Sequence, residues 1–149
     1  MVLTISDTRT EATDTSGDAI AALLTANRHE ISLRALVKDE PAAVQNAIRS
    51  NAAAAQVVIT TGGTGLTSRD STYEAISQLL DKRIDGFGEL FRSLSFHEIG
   101  AAAMLSRACA GTIGTTAVFS LPGSEHAVRL AMTRLILPEI GHVVRELNR

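Results

Sequence analysis

The sequence is poor in aromatic residues and cysteine, and it has no long apolar run. It contains no Trp, one Tyr and four Phe, so it lacks the mixed aromatic and basic surface that binds single-stranded nucleic acid. Fourteen Lys and Arg against sixteen Asp and Glu give no basic field for nucleic acid either. No segment approaches the roughly 20 apolar residues of a membrane span. The only cysteine, Cys109, cannot form an internal disulfide, which favours a reducing compartment. We expect a cytoplasmic protein with no nucleic-acid or membrane partner.

The chain does have the length and apolar content of one folded domain, which we expect to span residues 1–149. Short β-branched runs at 2–5, 31–37 and 57–59 alternate with segments of helical periodicity. One such helix is predicted to begin near Ser16 as its N-cap, and a second at Pro41. Strands that alternate with helices predict an α/β fold with a mostly parallel sheet.

The second half continues the same pattern. Residues 71–80 are predicted to be helical, with a capping box between Ser71 and Glu74. A helix follows from residue 85, and its apolar stripe includes Phe87 and Phe91; such a stripe is typical of core and also compatible with a subunit contact. Residues 117–119 are predicted to form a buried strand. A long C-terminal helix should bend at Pro138.

The segment 60–70, TTGGTGLTSRD, is the most informative part of the sequence. It joins a buried strand to a helix, and in open α/β sheets ligands bind at the carboxyl ends of strands. Its glycine amides and threonine hydroxyls are suited to hold phosphate. It is neither a Walker A loop, because Leu66 stands where Lys is needed, nor a dinucleotide fingerprint, because Ser68 replaces the third glycine. A plain tight turn is the alternative.

Two acidic residues follow neighbouring predicted strands. Asp70 ends the glycine segment, and Asp39 follows the strand at 31–37. Paired carboxylates beside a phosphate site commonly hold Mg²⁺ during phosphoryl or nucleotidyl transfer. Each acid taken alone could instead serve as a helix cap or dipole partner. The four histidines have no metal-ligand spacing, and Cys109 is interpreted as a small buried residue.

Six motifs together resemble the MoaB/MogA family of molybdenum-cofactor biosynthesis proteins, over nearly the whole chain. The segment DGFGELFR at 85–92, with EIG at 98–100, is most similar to the MoaB branch. The six motifs are SDTR at 6–9, DTSG at 14–17, TTGGTG at 60–65, RDSTYEA at 69–75, SR at 106–107 and LPGS at 121–124.

The resemblance implies a three-layer α/β/α domain that binds molybdopterin and assembles as a homotrimer or homohexamer. Family members adenylylate molybdopterin with Mg-ATP, and Asp39 and Asp70 are then the catalytic acids, with Mg²⁺ between them. The glycine loop would hold the pterin phosphate, and the turn at 122–124 would border the nucleotide. The substrate-binding residues that the resemblance implies are Ser6, Asp7, Ser16, Thr61, Gly62, Gly63, Thr64, Gly65, Pro122, Gly123 and Ser124.

The sequence departs from the family pattern at two positions. Tyr73 stands where the motif usually has Pro, and Glu125 stands where the last loop often has another Pro. Glu125 adds negative charge close to the expected phosphate site. Two other functions remain open: a molybdopterin carrier without chemistry, and a structural oligomer with a degenerate site.

Overall fold

A single six-stranded sheet runs through the protein in the order β2-β1-β3-β6-β5-β4. The computed structural model describes all residues, Met1–Arg149. Strands β2, β1, β3 and β6 are parallel, whereas β5 runs antiparallel to β6 and β4 antiparallel to β5. The predicted mostly parallel sheet is confirmed. The strands are β1 (Val2–Ile5), β2 (Arg34–Val37), β3 (Val57–Thr61), β4 (Lys82–Arg83), β5 (Cys109–Ile113) and β6 (Thr116–Leu121).

Helices cover both faces of this sheet. Helices α1, α4, α5 and α6 pack on one face and α2 and α3 on the other, which confirms the three-layer architecture. The helices are α1 (Thr15–Ala26), α2 (Pro41–Asn51), α3 (Thr72–Ser77), α4 (Asp85–Ile99), α5 (Glu125–Ala131) and α6 (Leu137–Leu147). Short 3₁₀ segments lie at Glu11–Thr13, Ala52–Ala54 and Gly100–Leu105, and a π-helix at Met132–Ile136 joins α5 to α6.

The central strands supply both cores because successive side chains point to opposite faces. Ile59 and Phe119 lie in the core beneath α1 and α4, whereas Val58 and Val118 lie in the core beneath α2 and α3. The ring of Phe119 meets Phe87 of α4 edge to face at 5.3 Å between centroids. An uninterrupted apolar run is therefore what a strand covered on both faces requires.

Two helix starts differ from the prediction. Asp14, not Ser16, is the N-cap of α1, and its carboxylate accepts from the Gly17 amide. Helix α3 is shorter than predicted, and Ser71 makes no capping hydrogen bond. The Ser71 hydroxyl donates to Asp39 instead, at 3.3 Å. At α1 another local cap replaces the predicted one, whereas at α3 a tertiary contact replaces the cap.

Two further features were not predicted correctly. Strands β4 and β5 were missed, because β5 consists largely of small residues without a β-branched run. The helix after residue 125 does not simply bend at Pro138; a π-helical turn comes first, in which the Leu137 amide donates to the Met132 carbonyl. No helix has both the length and the apolar character needed to cross a membrane.

Candidate functional site

A cavity of about 400 Å³ opens at the carboxyl edge of the sheet, beyond β3 and β6. One wall is the glycine loop, residues 62–65, and a second is the turn at 122–124. The third wall is largely apolar and belongs to α4 and the 3₁₀ segment that follows it. This is the edge at which open α/β sheets bind ligands.

The glycine loop leaves β3 through two residues with left-handed backbone. Gly62 has φ of 101° and Gly63 has φ of 65°, a region in which L-residues other than glycine are strained. The Gly62 amide donates to the Leu121 carbonyl, whereas the amides of Gly63 and Thr64 donate to no protein acceptor. Two neighbouring N–H groups in the cavity wall are therefore free to bind an anion.

The turn at 122–124 is tied to the rest of the site from two sides. Thr61, at the end of β3, donates its hydroxyl proton to the Pro122 carbonyl at 2.9 Å. Arg9 donates through Nη2 to the Gly123 carbonyl at 2.7 Å and through Nη1 to the Ser16 hydroxyl. The N-terminal loop thus fixes the position of a turn more than 100 residues away along the chain.

Asp70 folds back onto its own loop. Its Oδ2 accepts from the amide and the hydroxyl of Thr67, at 2.9 and 2.5 Å. A Cβ added to Gly65 would lie 2.6 Å from that oxygen. The Thr67 hydroxyl contributes most to a lowering of the pKa of Asp70, and the amides of Thr67 and Gly65 and the charge of Arg107 add to it. Asp70 is therefore a fully ionised group beside the cavity at neutral pH.

Asp39 reaches the loop from β2 and binds the beginning of α3. Its Oδ1 accepts from the Thr72 hydroxyl at 3.1 Å and from the Ser71 amide and hydroxyl at 3.4 and 3.3 Å. Its Oδ2 accepts no hydrogen bond from the protein and would lie 2.7 Å from a Cβ placed on Gly63. The two acids, predicted to share one edge of the sheet, flank the glycine loop.

This arrangement bears on the Mg²⁺ that the resemblance implies. Nowhere in the chain do three or more His, Cys, Asp or Glu side chains converge as a metal site. Mg²⁺ in nucleotide enzymes is usually held by one or two carboxylates together with substrate phosphates. Asp39, with its free Oδ2, and Asp70 fit a metal of that kind.

Four residues of the implied binding set lie outside the cavity lining and support the residues within it. Ser6 accepts from the amides of Thr8 and Arg9. Asp7 accepts from the Asp39 amide at 3.2 Å and pairs with exposed Arg69 at 2.8 Å. Ser16 and Thr61 bind Arg9 and Pro122, as described above. The members that line the cavity are Gly62, Gly63, Thr64, Gly65, Pro122, Gly123 and Ser124, and Asp70 lies beside them.

The apolar wall was not identified as a site in the sequence. Its larger members are Phe91, Ile99 and Leu105, and the hydroxyl-bearing Ser95 and Ser106 lie among them. The phenylalanine stripe of α4 is no signal for this wall, because Phe87 and Phe91 belong to the core and only Phe91 also borders the cavity. The other wall residues are Ala102 and Ala127.

Glu125 does not line the cavity. It begins α5 and pairs with Arg129 one turn later, with Oε1 2.7 Å from Nη2. The extra negative charge is thus partly neutralised by a neighbouring cation.

A larger cavity, of about 510 Å³, lies at the opposite edge of the sheet. Met1, Ile31 and Val57, at the amino ends of strands, form part of its lining. It has no glycine loop and no acid pair, and amino-terminal edges of parallel sheets seldom bind ligands. Cys109 lies in neither cavity; it is buried, as predicted, and burial raises the pKa of its thiol.

Comparison with known proteins agrees with the motif resemblance. Residues 1–142 match the family model described as "Probable molybdopterin binding domain". Molybdenum cofactor biosynthesis protein B of Bacillus cereus is 54% identical over 99% of this chain and 89% of its own length.

Solved structures lead to the same family. A crystal structure of a molybdenum cofactor biosynthesis protein B superposes with a TM-score of 0.95 at 54% identity, covering 99% of this chain and 94% of that one. The molybdopterin biosynthesis enzyme MoaB from Thermus thermophilus superposes with a TM-score of 0.86 at 34% identity, covering 98% and 93%. The chain belongs to the MoaB/MogA family of molybdenum cofactor biosynthesis proteins.

Proposed function

We propose that this protein binds molybdopterin in the carboxyl-edge cavity and adenylylates it with Mg-ATP in the cytoplasm. The observation that carries the proposal is the pair of amides without a protein acceptor at Gly63 and Thr64, two residues that line the cavity together with Asp70. Asp39 lies outside the lining, but its Oδ2 is close to Gly63. Free N–H groups beside two carboxylates suit a phosphate whose negative charge is shared with a cation.

The walls of the cavity match the two halves of such a substrate. The exposed apolar surface of Ile99 and Leu105 suits a flat ring system, because apolar pockets with a few placed polar groups bind and orient small molecules. The glycine loop then receives the phosphate. The turn at 122–124 borders the side of the cavity left for the nucleotide.

In the proposed reaction, an oxygen of the molybdopterin phosphate attacks the α-phosphorus of ATP. A new phosphorus–oxygen bond forms, the bond to the β-phosphate bridging oxygen breaks, and pyrophosphate leaves with that electron pair. The loop amides hold the attacking phosphate, and Asp39 and Asp70 would hold Mg²⁺. The ion, when bound, neutralises phosphate charge. Because no proton transfer is required, positioning and charge are the main contributions of the protein.

The decisive experiment is incubation with molybdopterin, ATP and Mg²⁺ while pyrophosphate release is measured. Release that depends on molybdopterin is the expected result. Tight molybdopterin binding without pyrophosphate release would favour the carrier function. In a carrier, the hydrogen bonds of Asp70 to its own loop would serve only to shape that loop. If the protein neither binds molybdopterin nor releases pyrophosphate, the structural oligomer with a degenerate site is the remaining alternative.

We also propose that the protein is a homotrimer or homohexamer. Phe96 and Met104, which do not line the cavity, are 59% and 79% exposed, and they lie close in sequence to the exposed cavity residues Ile99 and Leu105. Such a cluster is typical of a protein interface. Light scattering at micromolar concentration should give three or six times 15.7 kDa, and a stable monomer or dimer would contradict the proposal.

A further inference from the structure

Arg107 makes an unusual number of contacts with the glycine loop. It lies between the 3₁₀ segment and β5, and its side chain is 21% exposed. Its Nε donates to the Thr64 carbonyl at 3.0 Å, and its Nη2 donates to the Gly65 carbonyl and approaches the Asp70 carbonyl at 3.4 Å. Its Nη1 donates to Glu74. One guanidinium therefore meets three carbonyls of a loop about 40 residues away in sequence.

These contacts determine which way the loop peptides face. In a trans peptide the carbonyl of one residue and the N–H of the next point in opposite directions. With the Thr64 carbonyl turned toward Arg107, the Gly65 amide must turn away from it. The Asp70 carboxylate lies close to the other side of this residue, since a Cβ on Gly65 would lie 2.6 Å from its Oδ2. Arg107 therefore fixes the orientation of the peptide between Thr64 and Gly65.

The aromatic ring of Tyr73 packs against the guanidinium of Arg107. The guanidinium carbon lies 5.1 Å from the centroid of the Tyr73 ring, within the range of a cation–π contact. Arg83 donates to the Tyr73 hydroxyl at 3.2 Å and pairs with Asp85 at 3.1 Å. The residue that replaces the usual proline of the motif is therefore packed against the residue that grips the loop.

We propose that Arg107 is a positioning residue that keeps the glycine loop in its ligand-binding shape, and that Tyr73 holds Arg107 in place. Arg is needed because its planar fork offers donors in fixed directions, whereas Lys offers a compact charge that cannot reach the same carbonyls together. The inference rests on the proposed molybdopterin site for its effect on affinity. Its effect on the loop itself does not need a ligand.

The test uses Arg107→Lys, with Arg92→Lys as the matched control. Arg92 also lies close to the site, but its only hydrogen bond is a 3.5 Å contact with the Ser106 carbonyl. We expect Arg107→Lys to speed hydrogen exchange at the hydrogen-bonded loop amides of Thr67, Asp70 and Thr72 by about tenfold or more and to weaken molybdopterin binding by about tenfold. The melting temperature should stay close to that of the control, and turnover at saturating substrate should change less than the affinity.

Tyr73 supplies a second pair of variants. Tyr73→Phe keeps the ring and should behave as wild type, whereas Tyr73→Leu removes the stacking and should speed loop exchange by a few-fold. If Arg107→Lys does not fold, the Tyr73 pair decides the question. The inference is overturned if loop amides exchange at the same rate in Arg107→Lys and in Arg92→Lys. If Arg107→Lys is unfolded, equal exchange rates in Tyr73→Leu and Tyr73→Phe would overturn it. A wild type that binds no molybdopterin would refute the proposed function, and the exchange rates would still decide the role of Arg107.

Discussion

Asp39 and Asp70 carry the same charge to the same loop, yet they are held in opposite ways. Asp70 binds Thr67, three residues away, and shapes its own turn. Asp39 binds Ser71 and Thr72, more than 30 residues away, and joins the end of β2 to the start of α3. One acid is held by local structure and the other by tertiary structure. Substitutions of the two aspartates can therefore separate the contribution of local structure from that of tertiary structure at one site.

The largest expected effect is on turnover, where the two acids should behave alike. In Asp39→Asn and Asp70→Asn the remaining oxygen can still accept hydrogen bonds, but the charge is lost. We expect pyrophosphate release to fall by ~10²-fold or more in each variant, comparable to the loss of one preorganised electrostatic group. Molybdopterin binding should suffer less, because the loop amides remain.

Thermal melting controls for folding in that experiment. Glu139→Gln, a charge removal on exposed α6, should release pyrophosphate at the wild-type rate. Normal turnover in both Asn variants would refute a catalytic role for the acids. A loss of turnover in only one of the two Asn variants would show that the locally held acid and the tertiary-held acid also differ in function.

The second effect tests the Asp39 side of the loop. A Cβ on Gly63 would lie 2.0 Å from the Thr72 hydroxyl and 2.7 Å from Asp39 Oδ2, on a backbone with positive φ. Gly63→Val should therefore separate Asp39 from α3 and weaken molybdopterin binding at least tenfold, about 1.4 kcal/mol. Gly86→Ala is the control, since a Cβ there meets nothing within 4 Å. Titration with molybdopterin measures the difference, and an unchanged affinity in folded Gly63→Val would place the ligand elsewhere.

A third, smaller effect separates local from tertiary support. Thr67→Ala removes the 2.5 Å hydrogen bond to Asp70, and Ser71→Ala removes the 3.3 Å hydrogen bond to Asp39. We expect Thr67→Ala to lower the free energy of unfolding by about 1 kcal/mol and Ser71→Ala to lower it by less, because the longer bond is weaker. Urea denaturation of the two variants measures this order, and the reverse order would contradict it.

The smallest effect concerns acid stability. Because the pKa of Asp70 is lowered on folding, its contribution to stability is present above its ordinary value of 3.8 and is lost as the pH falls through the folded value. Asp70→Asn should therefore flatten the loss of stability below pH 4 by less than about 1 kcal/mol, since the group is only partly buried. Denaturation midpoints at pH 3 and pH 6 provide the measurement. An equal pH dependence in wild type and variant would show that the hydrogen bonds to Asp70 persist in the unfolded chain.

The sequence predicted the parts of the fold whose signals are local. Strands β1 and β3 and the glycine loop are continuous segments, so their apolar runs and glycines identify them directly. Strand β5 has no such run, and its small residues are explained only by its neighbours: a Cβ on Gly111 would lie 2.3 Å from the Lys82 carbonyl of β4. Small side chains are needed there because the two strands approach closely.

The same distinction applies to the site. The glycine loop and the turn at 122–124, which line the cavity, could be singled out because all their residues lie in two short motifs. The apolar wall could not, because the phenylalanine stripe of α4 belongs to the core and the exposed wall residues Ile99 and Leu105 lie beyond it. The contacts of Arg9 and Arg107 join segments 114 and 43 residues apart, and no pattern in one sequence reveals pairings at that range.

The π-helical turn at Met132–Ile136 keeps the buried residues before and after it on the same side of the C-terminal helix. The buried residues Val128, Met132, Ile136 and Ile140 recur every four positions, whereas a regular helix repeats after 3.6, so each step would over-rotate the stripe by about 40°. The wider turn, with its i to i+5 hydrogen bond, takes up part of this excess rotation and keeps Ile140 over the core. Removing one residue from the turn would restore ordinary α-helical bonding and leave Val128 and Ile140 separated by 11 residues, only about 20° from alignment in a regular helix. We therefore expect the chain to tolerate a single deletion in this turn better than a further insertion.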